Sequence, residues 1–211
     1  MIKYIYILFT GMLCLLVSCT EQHLTSEETD EEATYILVQG ANSLGSTDPL
    51  DNEIKTLRIF AFRANGKCVS NVLYNATLNE IIEHPINDGV YNFVFLANEP
   101  TSLNIQNMLN TIGQYSDLGG VTYPESAFRA DTPIPMFQEI KNVEVLPGKG
   151  GVKVDGGLVQ NPLRLRLDRF ASRVDIMLEA EEDLTNYFTG ITISNVPDGI
   201  RLLSDDNGTF G

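Results

Sequence analysis

The sequence predicts an all-β fold, a β-sandwich of about seven strands with one short helix, preceded by an N-terminal signal. Three observations support this prediction. Apolar and polar residues alternate with a period of two in several segments, and turn residues separate these segments. Only residues 103–112 have convincing helical spacing, and residues 4–17 form an almost unbroken apolar run that precedes a cysteine.

Residues 1–18 are predicted to be a lipoprotein signal peptide. The tetrapeptide Leu16-Val17-Ser18-Cys19 is the pattern that lipoprotein signal peptidase recognises, and Lys3 provides the preceding positive charge. Cleavage between Ser18 and Cys19 would leave Cys19 as a lipidated N-terminus, and two or more acyl chains such as palmitate hold a protein firmly to a bilayer. Two alternatives are a transmembrane helix, for which the apolar run is short, and a secretory signal without lipid.

The remaining chain is predicted to divide into two parts. Residues 19–32 are polar and acidic, which is typical of a disordered tether. Residues 33–211 carry the β-sandwich and are long enough for one substantial core or two small ones. The net charge of −14 makes nucleic acid and anionic lipid head groups poor partners.

Cysteine and histidine usage predicts neither a disulfide nor a metal site. Cys14 would leave with the signal peptide and Cys19 would carry lipid, so Cys68 would have no partner for an intramolecular bridge. His23 and His84 have no second histidine or cysteine at ligand spacing. Both histidines are therefore expected to be exposed loop residues.

The first strands are predicted from residue type and alternation. Residues 33–39 are rich in the branched and aromatic side chains that favour strands. Residues 54–62 alternate strictly, with Leu57, Ile59 and Ala61 on one face and with Arg58, Phe60 and Phe62 on the other. Asn65-Gly66 is a hairpin dipeptide, which makes residues 68–74 the return strand.

The middle of the chain contains one strand with unusual apolar density. Residues 90–98 are apolar on both faces, which is typical of a central strand covered on both sides. Residues 76–88 are mixed in character and have no assigned element. The short helix is predicted over residues 103–112, and residues 113–133 read as loops.

The C-terminal third predicts further strands. Residues 134–137 and 143–146 are short strand candidates, and residues 189–196 form a last one. Residues 163–179 alternate over their whole length but change register near residues 169–172. Such a change predicts a strand that bends or crosses between two sheets.

No motif in the chain predicts catalysis or a small-molecule cofactor. The sequence Gly148-Lys149-Gly150-Gly151 lacks the spacing of a phosphate loop, and residues 205–208 lack the glutamate of a calcium loop. No serine lies in a nucleophile elbow. Four arginines are expected to form a solvated strand face, namely Arg164, Arg166, Arg169 and Arg173.

The order of these segments resembles the N-terminal half of the fimbrillin family, the FimA-type pilus subunits and anchor proteins of Bacteroidales. The resemblance covers roughly residues 33–200. It rests on the lipobox and on segments that occur in the same order, namely residues 57–62, 65–67, 91–98, 134–136, 165–175 and 193–197.

The resemblance implies a transthyretin-like sandwich, no enzyme activity, and a location on the outer membrane or cell surface. It implies other pilus subunits as partners and a membrane contact through the N-terminal lipid. It also implies polymerisation by strand exchange, in which a protease removes the first strand and another subunit donates a replacement. The strand-exchange candidates are Ala33, Thr34, Tyr35, Ile36, Leu37, Val38 and Gln39.

The physics of strand exchange follows from sheet geometry. Loss of an edge strand leaves unpaired backbone groups and uncovered apolar side chains. A donated strand restores both by strand complementation.

The chain departs from the family pattern in two respects. Residues 20–54 contain no lysine or arginine, so a trypsin-like protease finds no site after the first strand. This favours an anchor or assembly subunit that keeps its lipid. The chain also ends where the first domain of the family ends, so the second domain is expected to be absent from it, as in a fragment, a truncated gene product or a one-domain relative.

A second hypothesis is a surface lipoprotein whose β-sandwich binds a glycan or protein ligand. Exposed aromatic side chains would favour this hypothesis, and the candidates are Tyr115, Tyr123 and Phe128 in the long loop. Core or loop packing explains the same residues. An apolar groove beneath residues 33–39 would favour strand exchange instead.

Overall fold

The computed structural model describes residues 34–41, 52–128, 132–148, 151–159, 162–170, 190, 192, 194 and 198–203. The chain divides into two compact units, residues 1–31 and residues 32–211, and every described residue belongs to the second unit. The predicted signal peptide, the acidic tether and the residues Ser18 and Cys19 therefore lie outside the described residues.

The described part of the second unit is built mainly from strands. The strands are β1 (Tyr35–Ala41), β2 (Thr56–Phe62), β3 (Cys68–Asn75), β4 (Ile81–Pro85), β5 (Gly89–Ala97), β6 (Thr122–Pro124), β7 (Met136–Val145), β8 (Val152–Val154), β9 (Gly157–Val159), β10 (Leu163–Arg166), β11 (Asp168–Arg169) and β12 (Gly199–Arg201). One α-helix, α1 (Leu103–Asn110), and two 3₁₀ helices (Tyr115–Gly120 and Glu125–Ala127) complete the elements of the described residues. The predicted all-β character is confirmed.

These strands form three sheets. A three-stranded sheet has the order β10-β1-β4, and a seven-stranded sheet has the order β3-β2-β5-β7-β8-β9, with β11 paired to β7. Strands β12 and β6 form a separate two-stranded sheet. We name the first two the small sheet and the large sheet.

The large sheet is covered on both faces, as the alternation in β2 predicts. Leu57, Ile59 and Ala61 are buried in one apolar cluster, and Phe60 and Phe62 are buried in another. Strand β5 lies between β2 and β7. Its apolar density on both faces therefore serves two cores at once.

We name the two clusters the inter-sheet core and the helix-side core. The inter-sheet core joins the small sheet to one face of the large sheet, with Ile36, Val38, Ile54, Leu57, Ile59, Ala61, Ala76, Ile82, Tyr91, Phe93, Phe95, Ala97, Met136, Val143, Val145, Val152, Leu163, Leu165 and Leu167 as its buried residues. The helix-side core fills the opposite face, with Phe60, Phe62, Val94, Leu96, Ile105, Leu109, Ile112, Leu118, Val121, Tyr123 and Leu202 as its buried residues.

The predicted crossing of a strand between two sheets is confirmed, although it occurs earlier than expected. Strand β10 pairs with β1 in the small sheet, and β11 pairs with β7 in the large sheet. The buried Leu167 lies between these strands. The register change predicted at residues 169–172 lies partly outside the described residues, and the change of pairing partner seen here comes before it, between Arg166 and Asp168.

Three stretches of the chain differ from the prediction. Residues 76–88, which had no assigned element, contain β4, and residues 113–133 contain β6 and both 3₁₀ helices. The two predicted strands at residues 134–137 and 143–146 are one strand, β7. More strands are therefore described than the predicted seven or so, because several of them have only three residues.

The continuity of β7 is hidden by a bulge. Its pairing with β5 shifts register between Tyr91 and Phe93. Asn142 adopts a φ of 54°, and its backbone N–H donates to Asn92 Oδ1 at 3.0 Å. The bulge breaks the alternation, so the sequence reads as two short strands.

The helix agrees with its prediction except at its C-terminus. Ile105 and Leu109 are its buried residues, while Leu103 is exposed. The helix ends at Asn110, and Thr111 follows it as the C-cap. Residues 174–179 of the predicted long strand lie outside the described residues, and so does most of the predicted strand at residues 189–196.

Candidate strand-exchange site

Strand β1 lies in the middle of the small sheet. It pairs antiparallel with β4, with Ile36 opposite His84 and Val38 opposite Ile82. It pairs parallel with β10, with Val38 opposite Leu163. The expectation of an edge strand is therefore wrong for the described residues, because β1 pairs on both sides.

The side chains of β1 alternate between the core and the outer surface. Ile36 and Val38 have no exposed surface, and both belong to the inter-sheet core. Tyr35, Leu37 and Gln39 alternate with them and are only half-buried. Each fully buried aliphatic side chain contributes about 1.5–3 kcal/mol, so Ile36 and Val38 provide most of the apolar stabilisation of this strand.

Gly40 continues the inward-facing series of β1. It is buried and pairs with Leu165 of β10. A Cβ atom at this position would lie 2.6 Å from Cδ1 of Ile54. The inner surface against which β1 packs is therefore narrow at this end.

Polar contacts hold both ends of β1. The Gln39 side chain donates from Nε2 to the Asn79 carbonyl at 2.7 Å, and the Asn79 N–H donates to the Gly40 carbonyl at 3.3 Å. At the other end, the Ile86 N–H donates to the Thr34 carbonyl at 3.1 Å.

Most of the predicted strand-exchange residues lie in β1. Tyr35, Ile36, Leu37, Val38 and Gln39 are in the strand, which continues to Ala41. Thr34 precedes the strand and is half-buried. Ala33 lies outside the described residues.

His84 joins the small sheet to the large sheet, and its predicted exposure was wrong. It has no exposed surface. Its Nε2 atom lies 3.0 Å from Ser70 Oγ, and its Nδ1 atom lies 2.9 Å from the Tyr74 hydroxyl. Burial lowers the pKa of His84 from 6.5 to about 4, so the ring is neutral near pH 7. A single histidine in the sequence carries no sign of these two partners, which come from a different strand.

A buried ion pair lies on the opposite face of the large sheet. Arg58 Nε lies 2.6 Å from Glu99 Oε2, and Arg58 Nη2 donates to Glu99 Oε1 at 2.9 Å. The third guanidinium contact goes from Nη1 to Asn71 Oδ1 at 2.8 Å. Asn71 in turn donates to the Leu109 carbonyl at 2.8 Å. The pair therefore links β2 and the end of β5 to the last turn of α1.

Asn98, directly after β5, connects three segments of the chain through its side chain. It adopts a φ of 55°. Its Nδ2 atom donates to the carbonyls of Glu53 at 2.7 Å and Ile134 at 3.0 Å, and its Oδ1 accepts from the Lys55 N–H at 2.9 Å. Asparagine tolerates this left-handed conformation better than most residues. The residue therefore serves as a structural junction.

The aromatic candidates for ligand binding pack into the helix-side core. Tyr123 is buried in it, and Tyr115 and Phe128 pack against it. Tyr123 makes an edge contact with Phe170 at 5.6 Å between ring centroids. Burial, with the nearby Glu99 charge, raises the pKa of Tyr123. Core packing therefore explains these residues.

The four arginines behave only partly as predicted. Arg164 and Arg166 are exposed on β10, as expected for a solvated strand face. Arg169 is half-buried and donates from Nη2 to Asn52 Oδ1 at 2.7 Å. Arg173 lies outside the described residues.

Two further predictions concern cysteine and metal. Cys68 carries a free thiol, and burial raises its pKa. Among the described residues, no group of three or more histidine, cysteine or acidic side chains is arranged to hold a metal ion. No helix in this part of the chain is both long and apolar enough to cross a membrane.

These features define an all-β domain in which the first described strand is held between two others. Residues 38–169 match the family described as major fimbrial subunit protein (FimA). The match spans more than half of the 211 residues, so the chain belongs to this family. The resemblance read from the sequence is confirmed, and the family implies a subunit of a cell-surface pilus.

Solved structures of fimbrial proteins are similar to this chain. The tip fimbrial protein Mfa3 from Porphyromonas gingivalis, with a C-terminal truncation, is 20% identical with a TM-score of 0.46, over 64% of this chain and 48% of that chain. A fimbrilin (FimA) from Porphyromonas gingivalis W83 is 17% identical with a TM-score of 0.43, over 66% of this chain and 40% of that chain.

A putative cell adhesion protein from Parabacteroides distasonis is 19% identical with a TM-score of 0.46, over 64% of this chain and 41% of that chain. The chain therefore spans half or less of the length of these structures. No curated protein matches it.

Proposed function

We propose that this chain is a lipid-anchored structural subunit of a cell-surface pilus, and that it anchors or assembles the fibre by strand complementation. Membership of the major fimbrial subunit family supports the pilus role and other pilus subunits as partners. The proposed role is structural and needs no cofactor. In this proposal the domain is a transthyretin-like sandwich.

The observation that carries the proposal is the central position of β1. Removal of β1 would open a gap between β4 and β10 and would expose unpaired backbone groups on both of these strands. It would also uncover the inter-sheet core where Ile36 and Val38 are now buried. An extended segment from another subunit would restore the backbone pairs and the apolar contacts together.

The sequence before β2 supports a subunit that keeps its lipid. Residues 20–54 contain no lysine or arginine, so a trypsin-like protease has no site at which to separate β1 from the domain, and exchange of β1 requires a protease of another specificity. Acylation at Cys19, after cleavage between Ser18 and Cys19, would fix the chain to the outer membrane. An acidic tether over residues 19–32 would space the domain from the bilayer.

Mass spectrometry of the membrane-extracted protein tests the anchor. We expect an acylated N-terminus at Cys19, and we expect the Cys19→Ala variant to move from the envelope fraction to the soluble fraction. A free N-terminus after residue 40 would instead indicate a processed stalk subunit. Retention of the Cys19→Ala variant in the envelope as firmly as the parent would contradict lipid anchoring.

A further inference from the structure

The three inward-facing positions of β1 do not all accommodate side chains of the same size. Ile36 and Val38 are completely buried, so two positions accommodate branched aliphatic side chains. At the third inward position, Gly40, a Cβ atom would lie 2.6 Å from Ile54 Cδ1, so a side chain there would require the end of the Ile54 side chain to shift. Ordinary van der Waals contact between carbon atoms requires about 3.5–4.0 Å.

The glycine at this position is explained by space and not by backbone conformation. Gly40 has no positive φ, unlike Gly66 with a φ of 82° and Gly148 with a φ of 85°. At a position with ordinary strand dihedral angles, glycine offers no conformational benefit, and it weakens the interior of a strand. Close approach of other atoms is the remaining reason.

The atom that closes this end of the surface is the terminal methyl of Ile54, and its surroundings are packed. Ile54 is 5% exposed and Leu165, opposite Gly40 on β10, is 0% exposed. Both belong to the inter-sheet core. Because such cores are close-packed, a displaced Ile54 side chain would force neighbouring side chains out of their preferred rotamers.

We propose that the site selects the strand that fills it by the side chains at three alternate positions. The accepted segment has an aliphatic residue at the first position, another aliphatic residue two positions later and a glycine two positions after that, with any residue in between. This inference rests on the proposed strand complementation and specifies its partner. The partner segment runs antiparallel to β4 and parallel to β10, as β1 does. Its glycine lies over Ile54, and its two outward residues are not restricted by the inter-sheet core.

A cleaved but complete chain provides the test. A cleavage site for a sequence-specific protease is inserted between Ser46 and Thr47, so that β1 stays bound by non-covalent contacts alone after cleavage. A fluorescent peptide with the sequence of residues 34–41 then competes with the resident strand. Three peptides are compared: the parent, one with Gly40→Val, and one with Leu37→Val as an outward-facing control.

We expect the parent and Leu37→Val peptides to exchange with similar affinity. We expect the Gly40→Val peptide to bind about tenfold to a hundredfold more weakly, as overpacking implies. In a chain with Ile54→Ala, this peptide is expected to recover to within about threefold of the parent, because the obstructing atoms are gone. Equal binding of the Gly40→Val peptide to the unaltered chain would overturn the inference.

Failure of the inference and failure of strand complementation have different signatures. If no peptide exchanges, strand complementation is contradicted. The size limit is then measured in the intact, uncleaved chain, where Gly40→Val should lower the melting temperature and Ile54→Ala in the same chain should offset part of that loss. A Gly40→Val chain as stable as the parent would overturn the size limit on its own.

Discussion

The two cores on either side of the large sheet are closed in different ways. Most of the helix-side core is covered by α1, by the 3₁₀ helices and by β6, which follow one another between β5 and β7, and Leu202 after β12 adds to this cover. The inter-sheet core is covered by β1, β4 and β10, which come from three distant parts of the chain. The first cover is continuous with the large sheet at both ends, whereas a single cut in residues 42–51 separates β1 from the rest of the domain.

The chemistry of the two covers also differs. The helix-side cover is held by a buried ion pair between Arg58 and Glu99 and by ring contacts such as Phe62 with Tyr115, at 5.4 Å between centroids. Strand β1 places Ile36 and Val38 in the inter-sheet core and is otherwise held by backbone pairing and by the hydrogen bond from the Gln39 side chain to the Asn79 carbonyl. Because backbone hydrogen bonds do not depend on the sequence, another strand can replace β1 over the inter-sheet core.

The largest expected effect is on the helix-side core. Glu99→Ala would leave the Arg58 guanidinium buried and without its carboxylate, and we expect it to lower the free energy of unfolding by about 3–5 kcal/mol. Denaturant unfolding followed by circular dichroism measures this. The double variant Arg58→Leu with Glu99→Leu should recover most of the loss, since it removes both charges. A loss below about 1 kcal/mol for Glu99→Ala would contradict the importance assigned to the pair.

The second-largest expected effect is the loss of stability at low pH that results from protonation of His84, which joins β4 to β3. The pKa of His84 is lowered from 6.5 to about 4 in the folded chain, so the unfolded chain binds a proton more readily. The contribution of His84 to stability is therefore complete above pH 6.5, declines as the pH falls to about 4, and is constant below that value. One pKa unit corresponds to about 1.4 kcal/mol, so the expected loss is about 3 kcal/mol.

This pH dependence is measured as the free energy of unfolding of the parent and of His84→Gln between pH 7.5 and pH 4. Carboxylates titrate in both proteins, so the difference between the two curves isolates the imidazole. We expect the parent to lose more stability than the variant over this range. Parallel curves would show that His84 does not change its protonation between the folded and unfolded states.

The smallest effect distinguishes the two faces of β1. Val38→Thr buries a hydroxyl in the inter-sheet core and should cost about 1–3 kcal/mol. Leu37→Thr, one residue away on the half-exposed face, should cost less than about 1 kcal/mol, because its hydroxyl can reach water. Thermal unfolding of both variants makes the comparison. Equal losses of stability in the two variants would mean that the inward-facing residues do not hold β1 in place.

The sequence predicted much of the fold where alternation is long and uninterrupted. Both faces of β2 and the central position of β5 follow from residue spacing, whereas the change of sheet was expected a few residues after Leu167, where it occurs. Strand β4 was missed because its alternation in Ile81–Pro85 extends over only five residues. The continuity of β7 was missed because the bulge at Asn142 breaks the pattern.

The candidate site was predicted in part. Residues 35–39 of β1 were identified as a strand from residue type, whereas their alternation between core and surface and the pairing of β1 on both sides were not. Neither β4 nor β10 has a sequence motif that identifies β1 as its pairing partner, because backbone hydrogen bonds are independent of side-chain identity. The partners of His84 were hidden for a related reason, since Ser70 and Tyr74 are polar residues of a strand whose neighbour is unknown until the chain folds.

The sequence by itself determined the strand class, the faces of β2 and β5 and the family of this chain, because these depend on local spacing and on the order of segments. Only the tertiary structure decided that β1 is enclosed between β4 and β10, that His84 is buried and neutral, and that the end of the Ile54 side chain lies against Gly40. These properties depend on contacts between residues far apart in the chain, and such contacts form only when the sheets pack together.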